Sequence, residues 1–519
     1  MKTSLTVHCH NSKVMEIAPA TGLNMAQTLF LNGAFKGVPL CSGMGRCGLC
    51  KVRFESTPPE PRKEELLKFS AAEIESGWRL SCLHPATPAT IFLPEPERVV
   101  PRVSDNFSKN FPDNLALAVD LGTTGLHWAF TIEDRTVKSG QELNPQMGLG
   151  SEVMSRLAFA AKPEQRKILS KLVTDRLRAI IAETAPVQEL TVSGNPSMTS
   201  ILAQDDVQSL SRAPYALPSK GGERVKLDAK LPEAYIPPHL APFVGADITA
   251  GIVALNFSEP KAQPPYLFAD LGTNGEFVLC LSEDEYIVSS VPMGPALEGV
   301  GMSNGRTAGP GAVSAFTLTP QGLSPSTIKA EKPEHNQKPG ITGTGYLSLC
   351  ALLLKSGVLT REGQFGAGNT PFAAKLADKL TKINGTPVLD LGHEGLTLPA
   401  PDVEEILKVK AAFNLAMSAL LNEAGLAPSD LKELILGGAM GQHVNINDLV
   451  TTGFIPAESS AITRAAGNTS LTGAKILTHN KKARDFAASL PSRSKVLELA
   501  GSNDFGDKYL ARIIFKYVY

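Results

Sequence analysis

The sequence predicts a multidomain chain of mixed α+β and α/β class, with a small β-rich N-terminal domain followed by two α/β lobes. Three observations predict it. Five cysteines (Cys9, Cys41, Cys47, Cys50 and Cys82) crowd into the first sixth of 519 residues, a proline-rich charged stretch begins at Pro94, and a D-L-G-T-x-G pattern occurs twice at an offset of 150. A length of 519 residues itself implies several domains. With 50 Lys+Arg against 51 Asp+Glu, the chain has no basic excess to hold nucleic acid or an acidic membrane. Its 43% hydrophobic and 19% charged residues suit large buried cores rather than disorder. No run approaches the ~20 apolar residues of a membrane span, and residues 1–15 lack an uninterrupted apolar leader core, so a cytoplasmic protein is expected.

In the first 95 residues, Leu5–His8 and Val14–Ile17 alternate as a hairpin and Met25–Leu31 reads as a helix. Cys50–Phe54 alternates as a strand, and Ala89–Leu93 closes the unit as another. This is a β-grasp pattern. Cys41, Cys47, Cys50 and Cys82 stand in C-x5-C-x2-C-x31-C, the first three within CSGMGRCGLC. Gly43, Gly45 and Gly48 let that backbone take positive φ and turn its N–H groups toward a buried anion. Structural zinc sites usually pair two closely spaced knuckles. One CxxC with one cysteine upstream and one distant favours an iron–sulfur cluster instead. On these residues the segment resembles the [2Fe–2S] ferredoxins; its first spacing is one residue longer than the plant type and similar to the adrenodoxin type. The isolated Cys9, Cys280 and Cys350 read as small buried hydrophobes.

The stretch PEPERVVPRVSDNFSKNFPDN places a linker at 96–114, leaving a first lobe at 115–260 and a second at 261–519. LALAVDLGTTGLHWAF (115–130) and PYLFADLGTNGEFVLC (265–280) each read as strand, tight turn and strand, with Gly125 or Gly275 supplying unusual φ. One copy could be a plain hairpin; two facing copies can clamp a polyphosphate. Turn N–H groups and the hydroxyls of Thr123, Thr124 and Thr273 would donate to phosphate oxygens. Asp120 and Asp270 would hold Mg²⁺ and orient the attacking water. No Walker A lysine motif occurs. A third piece, Glu433–Gly441 (ELILGGAMG), is a short strand running into glycines where a flat base can approach the backbone. In order and spacing the three pieces resemble the phosphate-1, phosphate-2 and adenosine motifs of the actin, sugar-kinase and heat-shock-chaperone ATPases, which implies two RNase H-like lobes closing over ATP.

Helices fit two lobes. Residues 163–183 start at proline and carry Ile168, Leu169, Leu172, Leu177, Ile180 and Ile181. Asp402 and Glu405 read as a cap opening a helix with the stripe Ile406, Val409, Phe413, Met417, Leu420 and Leu421, stopped at Gly425. Residues 318–345 read as an irregular mobile loop, and Glu298 as a turn carboxylate that could face the nucleotide.

A ferredoxin needs no nucleotide for downhill transfer, so its fusion to an ATPase points to an electron transfer that needs free energy, at about 1.4 kcal/mol per 59 mV for one electron. As a whole the chain resembles the reductive activators of corrinoid proteins. Further segments carry that likeness: NPQMGLGSEVMSRL (144–157), VSGNPSMTSIL (192–202), APYALP (213–218), FVGADITAGIVA (243–254), MGPALEGVGM (293–302) and GNTSLTGA (467–474). The resemblance implies ATP-dependent return of a Co(II) corrinoid protein to Co(I). It implies that Cys41, Cys47, Cys50 and Cys82 hold the [2Fe–2S] cluster. It places phosphates on Gly122-Thr123-Thr124 and Gly272-Thr273-Asn274, Mg²⁺ near Asp120 and Asp270, and adenosine on Gly437-Gly438. The partners would be the corrinoid protein of a methyltransferase system and an upstream electron donor, with a homodimer as the default assembly. A redox- and nucleotide-controlled binding switch without net turnover is the alternative, and a small-molecule kinase with an appended ferredoxin is a third reading.

Overall fold

The computed structural model describes residues 4–105, 114–329, 340–393, 395–438, 444–499 and 504–519. The N-terminal sheet holds β1 (Leu5–Cys9), β2 (Val14–Ile17), β3 (Lys51–Phe54), β4 (Trp78–Leu80) and β5 (Ala89–Leu93) in the order β2-β1-β5-β3-β4. β1 and β5 run parallel and the other pairs antiparallel. Alternation drives this sheet: Leu5, Val7, Val52, Ile91 and Leu93 point into one core, shared with Met25 and Leu29 of the helix Met25–Leu31. Asn24 caps that helix reciprocally with Gln27.

The stretch expected as a linker adds β6 (Arg102–Asp105) to the edge of the next sheet, antiparallel to β9. Composition hid this strand because Pro101 and the charged residues around it suit an edge, where unpaired backbone faces outward. β7 (Ala116–Leu121), β8 (Gly125–Ile132), β9 (Arg135–Leu143), β10 (Glu189–Gly194), β11 (Glu223–Val225) and β12 (Ala234–Ile236) complete the order β11-β12-β10-β7-β8-β9-β6. In the second lobe β13 (Tyr266–Leu271), β14 (Asn274–Ser282) and β15 (Glu285–Pro292) repeat the meander of β7–β9. A hairpin, β16 (Val313–Thr319) with β17 (Gly322–Thr327), and a small sheet, β18 (Leu380–Ile383), β19 (Thr386–Asp390) and β20 (Thr397–Pro399), are inserted before the main sheet resumes. β21 (Glu433–Gly437), β22 (Thr463–Gly467) and β23 (Ser494–Val496) then give β22-β21-β13-β14-β15-β23. Each lobe thus has three antiparallel strands with parallel strands added beside the first, as expected for RNase H-like lobes.

Helices Pro163–Ala182 and Ala400–Ala424 lie where the sequence places them. The first buries Leu169, Val173, Leu177 and Ile180 while Ile168 is exposed. The second buries its whole predicted stripe and ends at Gly425 with φ +67°. Asp402, however, is no cap. It sits in the first turn of the helix, where its carboxylate accepts from Ser303 N (3.0 Å), Ser303 Oγ (3.1 Å) and Tyr346 Oη (3.3 Å) and fastens the glycine-rich loop after Glu298. The expected irregular loop at 318–345 is also corrected: β16 runs to Thr319, β17 follows, and a helix starts at Gly343. Pro325 stands in β17 because a two-stranded ribbon has only edges, where a missing N–H costs little; residues 330–339 lie outside the described residues. No described helix is long and apolar enough to cross a membrane.

Candidate functional site

Two sites form. In the N-terminal domain, Cys41, Cys47, Cys50 and Cys82 line one small pocket together with Gln27 and Gly148. Cys41, Cys50 and Cys82 are buried and Cys47 is half-buried. Thiol contacts tie the four together. Hydrogen bonds from Cys47 and Cys82 hold Cys41 down to about 2, and the same contacts with burial push Cys47 and Cys82 well up. Gly43, Gly45 and Gly48 take φ of +110°, +66° and +74°, as the loop reading requires. The distant Cys82 is brought in by the turn Ser81–Leu83, whose Ser81 donates to Cys50 O from both N (3.0 Å) and Oγ (2.7 Å). Behind it the buried Glu65 carboxylate accepts from Leu80 N (2.6 Å) and Arg62 N (2.7 Å) and bonds His84 Nε2 (2.9 Å). These donors outweigh burial and hold Glu65 below its ordinary range.

Among the described residues, no three His, Cys, Asp or Glu side chains are arranged around one metal ion. Four cysteines lining one pocket are the donor type that iron–sulfur clusters take.

The second site lies between the lobes. The turn after β7 and the turn after β13 meet directly, with Thr124 Oγ1 and Thr273 Oγ1 3.0 Å apart. A cavity of about 100 Å³ beside them is lined by Asp120, Gly122, Thr123, Asn195, Asp247, Asp270, Gly272, Thr273, Asn274, Glu276, Glu298, Gly438, Asn468 and Ser470. It continues into one of about 200 Å³ lined by Thr124, His127, Glu298, Thr344 and Gly438, with Val99, Val100 and Arg102 from the expected linker as part of its wall.

Gly125 and Gly275 do not supply positive φ. They are needed for space: a Cβ at Gly125 would stand 3.1 Å from the His127 ring, and one at Gly275 2.6 Å from Met293 Sδ. Gly437 likewise packs on protein, where a Cβ would meet Phe268 at 2.7 Å and Thr469 Oγ1 at 3.1 Å. Gly438 is the positive-φ residue at +81°, pressed so close to Asp270 that a Cβ would lie 2.5 Å from its Oδ1. Ala439–Gly441 of the same motif lie outside the described residues.

The carboxylates divide into two kinds. Asp120 accepts from Asn468 Nδ2 (2.7 Å) and Ser470 Oγ (2.8 Å) and lies 3.2 Å from His127 Nδ1. Burial opposes its ionisation, yet these partners hold it below the ordinary range. Asp270 is the reverse: burial and the charges of Asp247, Asp120 and Glu298 push it up to about 8. Burial and Asp120 push Asp247 up to about 7, although Ile248 N donates to it. Burial raises Glu276 strongly, with help from Asp247 and Asp270. Burial raises Glu298 too, against the hydroxyls of Thr124 and Thr273, and Thr273 Oγ1 donates to Glu298 Oε2 at 3.1 Å. Such a group holds protons more tightly than free carboxylates do. Mg²⁺ asks for one or two carboxylates, waters and substrate phosphates rather than a closed protein cage.

Sequence reasoning named Asp120 and Asp270 here but assigned no role to Asp247, Glu276, Asn195, Asn468 or Ser470. Asn195 Nδ2 donates to Thr123 Oγ1 at 3.0 Å, and Ser193 Oγ lies 2.8 Å from Ser470 Oγ. The available signal was that SGNP and GNTS each join glycine to an asparagine that caps the following helix.

The family model described as "RACo middle region" matches residues 115–260, and that described as "C-terminal domain of RACo the ASKHA domain" matches residues 265–517. The chain is similar to the corrinoid activation enzyme RamQ of Eubacterium limosum, 26% identical over 77% of this chain and 70% of that one. It is 28% identical to the [Co(II) methylated amine-specific corrinoid protein] reductase of Methanosarcina barkeri, over 77% and 76% of the two chains. A solved structure of a reductive activator for corrinoid, iron–sulfur protein superposes on 98% of both chains with a TM-score of 0.67 at 20% identity, so the arrangement of the whole chain is shared.

Proposed function

We propose that this chain, which belongs to the RACo family of reductive activators of corrinoid proteins, uses ATP to return an oxidised Co(II) corrinoid protein to Co(I). The observation that carries the reading is the joining of a four-cysteine pocket to a paired phosphate clamp in one docked body: Ser42 Oγ, next to Cys41, donates to Met147 O of the first lobe at 2.7 Å. The organisation is 1–95 as a β-grasp ferredoxin-like domain, 96–114 as a linker with an edge strand, and 115–260 and 261–519 as the lobes. The protein would work in the cytoplasm beside an upstream one-electron donor.

Cys41, Cys47, Cys50 and Cys82 hold a [2Fe–2S] cluster, which when bound supplies a single electron at a time. At the other site Gly122, Thr123, Thr124, Gly272, Thr273 and Asn274 bind the phosphates, and Gly437-Gly438 lies at the adenosine end. Asp270, with Asp247 and Glu276 lining the same cavity, would give up its proton to hold Mg²⁺. Asp120, already ionised and oriented by His127, Asn468 and Ser470, accepts from the attacking water. Glu298 accepts from the Thr273 hydroxyl at 3.1 Å. Hydrolysis to ADP and phosphate provides the free energy; one electron reduces Co(II) to Co(I).

The test is anaerobic visible spectroscopy of the reduced protein with a Co(II) corrinoid protein from the same organism, with and without Mg·ATP. Co(I) that appears only with ATP is expected. A cluster that bleaches and reoxidises without Co(I) in either case would move the reading to a nucleotide-controlled binding switch.

A further inference from the structure

The phosphate turn and the cysteine loop are joined by one short piece of protein. All three carbonyls of the turn at 122–124 are taken by the segment that follows β9. Asn144 Nδ2 donates to Gly122 O (2.7 Å), Arg156 Nη1 to Thr123 O (2.6 Å), and Asn144 N to Thr124 O (2.8 Å). Arg156 also donates through Nε to Gly150 O at 3.0 Å. From Gly150 the chain leads back through the turn Met147–Leu149. Met147 O accepts from Ser42 Oγ, and Gly148 lines the cysteine pocket. Gly148 sits so tightly under Phe30 of the N-terminal helix that a Cβ would lie 2.2 Å from its ring.

Arg156 is fully buried. Among the described residues its acceptors are carbonyl and amide oxygens and thioether sulfurs, with no carboxylate bonded to it. Burial holds its guanidinium down to about 9, and the nearest compensation is the charge of Glu298 across the phosphate turns. A buried cation without a bonded anion is destabilising. That cost falls when an anion arrives on the far side of the turn, and packed interiors pass small displacements to their neighbours rather than absorb them.

We infer that Arg156 and the segment Asn144–Gly150 form a coupling element that reads phosphate occupancy at Thr123 and repositions the cysteine loop through Ser42. Arg156 is a positioning residue in this account: it touches neither nucleotide nor thiols, and acts through the carbonyls of Thr123 and Gly150. The inference rests on the nucleotide reading of the phosphate turns.

Hydrogen–deuterium exchange of the anaerobic holoprotein tests it, with and without a non-hydrolysable ATP analogue and Mg²⁺. In the wild type, exchange over residues 41–50 is expected to change by a factor of about 5 or more on nucleotide binding, in the range of ordinary coupling energies. Ser42→Ala should keep the visible spectrum and the wild-type rate of ATP hydrolysis while losing that change. Arg156→Lys should lose it too; if the variant fails to fold, Ser42→Ala decides alone. An analogue that protects residues 120–125 but leaves 41–50 unaltered in the wild type overturns the coupling element and spares the nucleotide reading. The same overturning follows if Ser42→Ala retains the full change. An analogue that protects neither region overturns both.

Discussion

Replacing Asp270 by Asn should make the nucleotide-free protein more stable and its ATP hydrolysis negligible. The Asp270 carboxyl is buried beside Asp247, Asp120 and Glu298 and is pushed from 3.8 up to about 8. Between those values the folded state binds a proton that the unfolded chain releases, so this group's contribution falls steadily as pH rises through the window. At ~1.4 kcal/mol per tenfold in proton activity, keeping that proton at pH 7 costs at most ~4 kcal/mol. Asn keeps the shape and carries no such cost. The assay is thermal unfolding of the nucleotide-free protein from pH 5 to 8, read by midpoints because a chain of several domains need not unfold in two states. The wild-type midpoint should fall with pH more steeply than that of Asp270→Asn, and Mg·ATP should raise only the wild type. A variant less stable than the wild type at pH 8, or one still stabilised by Mg·ATP, refutes the assignment of Asp270 as a strained cation ligand.

Asp120→Ala removes a carboxylate held ionised by His127, Asn468 and Ser470, and should lower ATP hydrolysis by ~10²-fold or more with the visible spectrum intact; a wild-type rate would end its role toward water. Cys47→Ser should lose the cluster absorption while retaining hydrolysis, and a normal spectrum would remove Cys47 from the ligand set. Glu65→Ala leaves His84 and the Leu80 N–H without their acceptor in a buried site, at a cost of ~1–3 kcal/mol each. Heating should therefore bleach its cluster well before the lobes unfold, and bleaching at the wild-type temperature would count against it.

What could be read ahead was local. The cysteine loop declares itself because three cysteines and three glycines fall within ten residues, and the strands of the lobes because alternation and turn residues need no distant partner. The carboxylate group could not be read this way. Asp247 and Glu276 stand at a helix start and in a strand, and their chemistry exists only once β7, β13 and the helix Ala246–Phe257 converge. Gly125 and Gly275 show a subtler limit. A glycine in a turn is consistent with either positive φ or close packing, and only the positions of His127 and Met293 decide between them. Pro325 misled for a related reason, since proline speaks against a central strand but not against a two-stranded ribbon.

The stretch joining the N-terminal domain to the lobes belongs to the nucleotide cleft as much as to the tether. Val99 N donates to Gly37 O at 2.8 Å in the N-terminal domain, while Val99, Val100 and Arg102 wall the cavity beside Thr124 and Glu298. Arg102 donates across that cleft to Ala308 O in the second lobe. A few residues thus touch all three bodies. The N-terminal domain cannot leave its dock without altering the wall of the cleft, and a ligand that changes the cleft must alter the dock. Linkage makes the two effects equal in free energy.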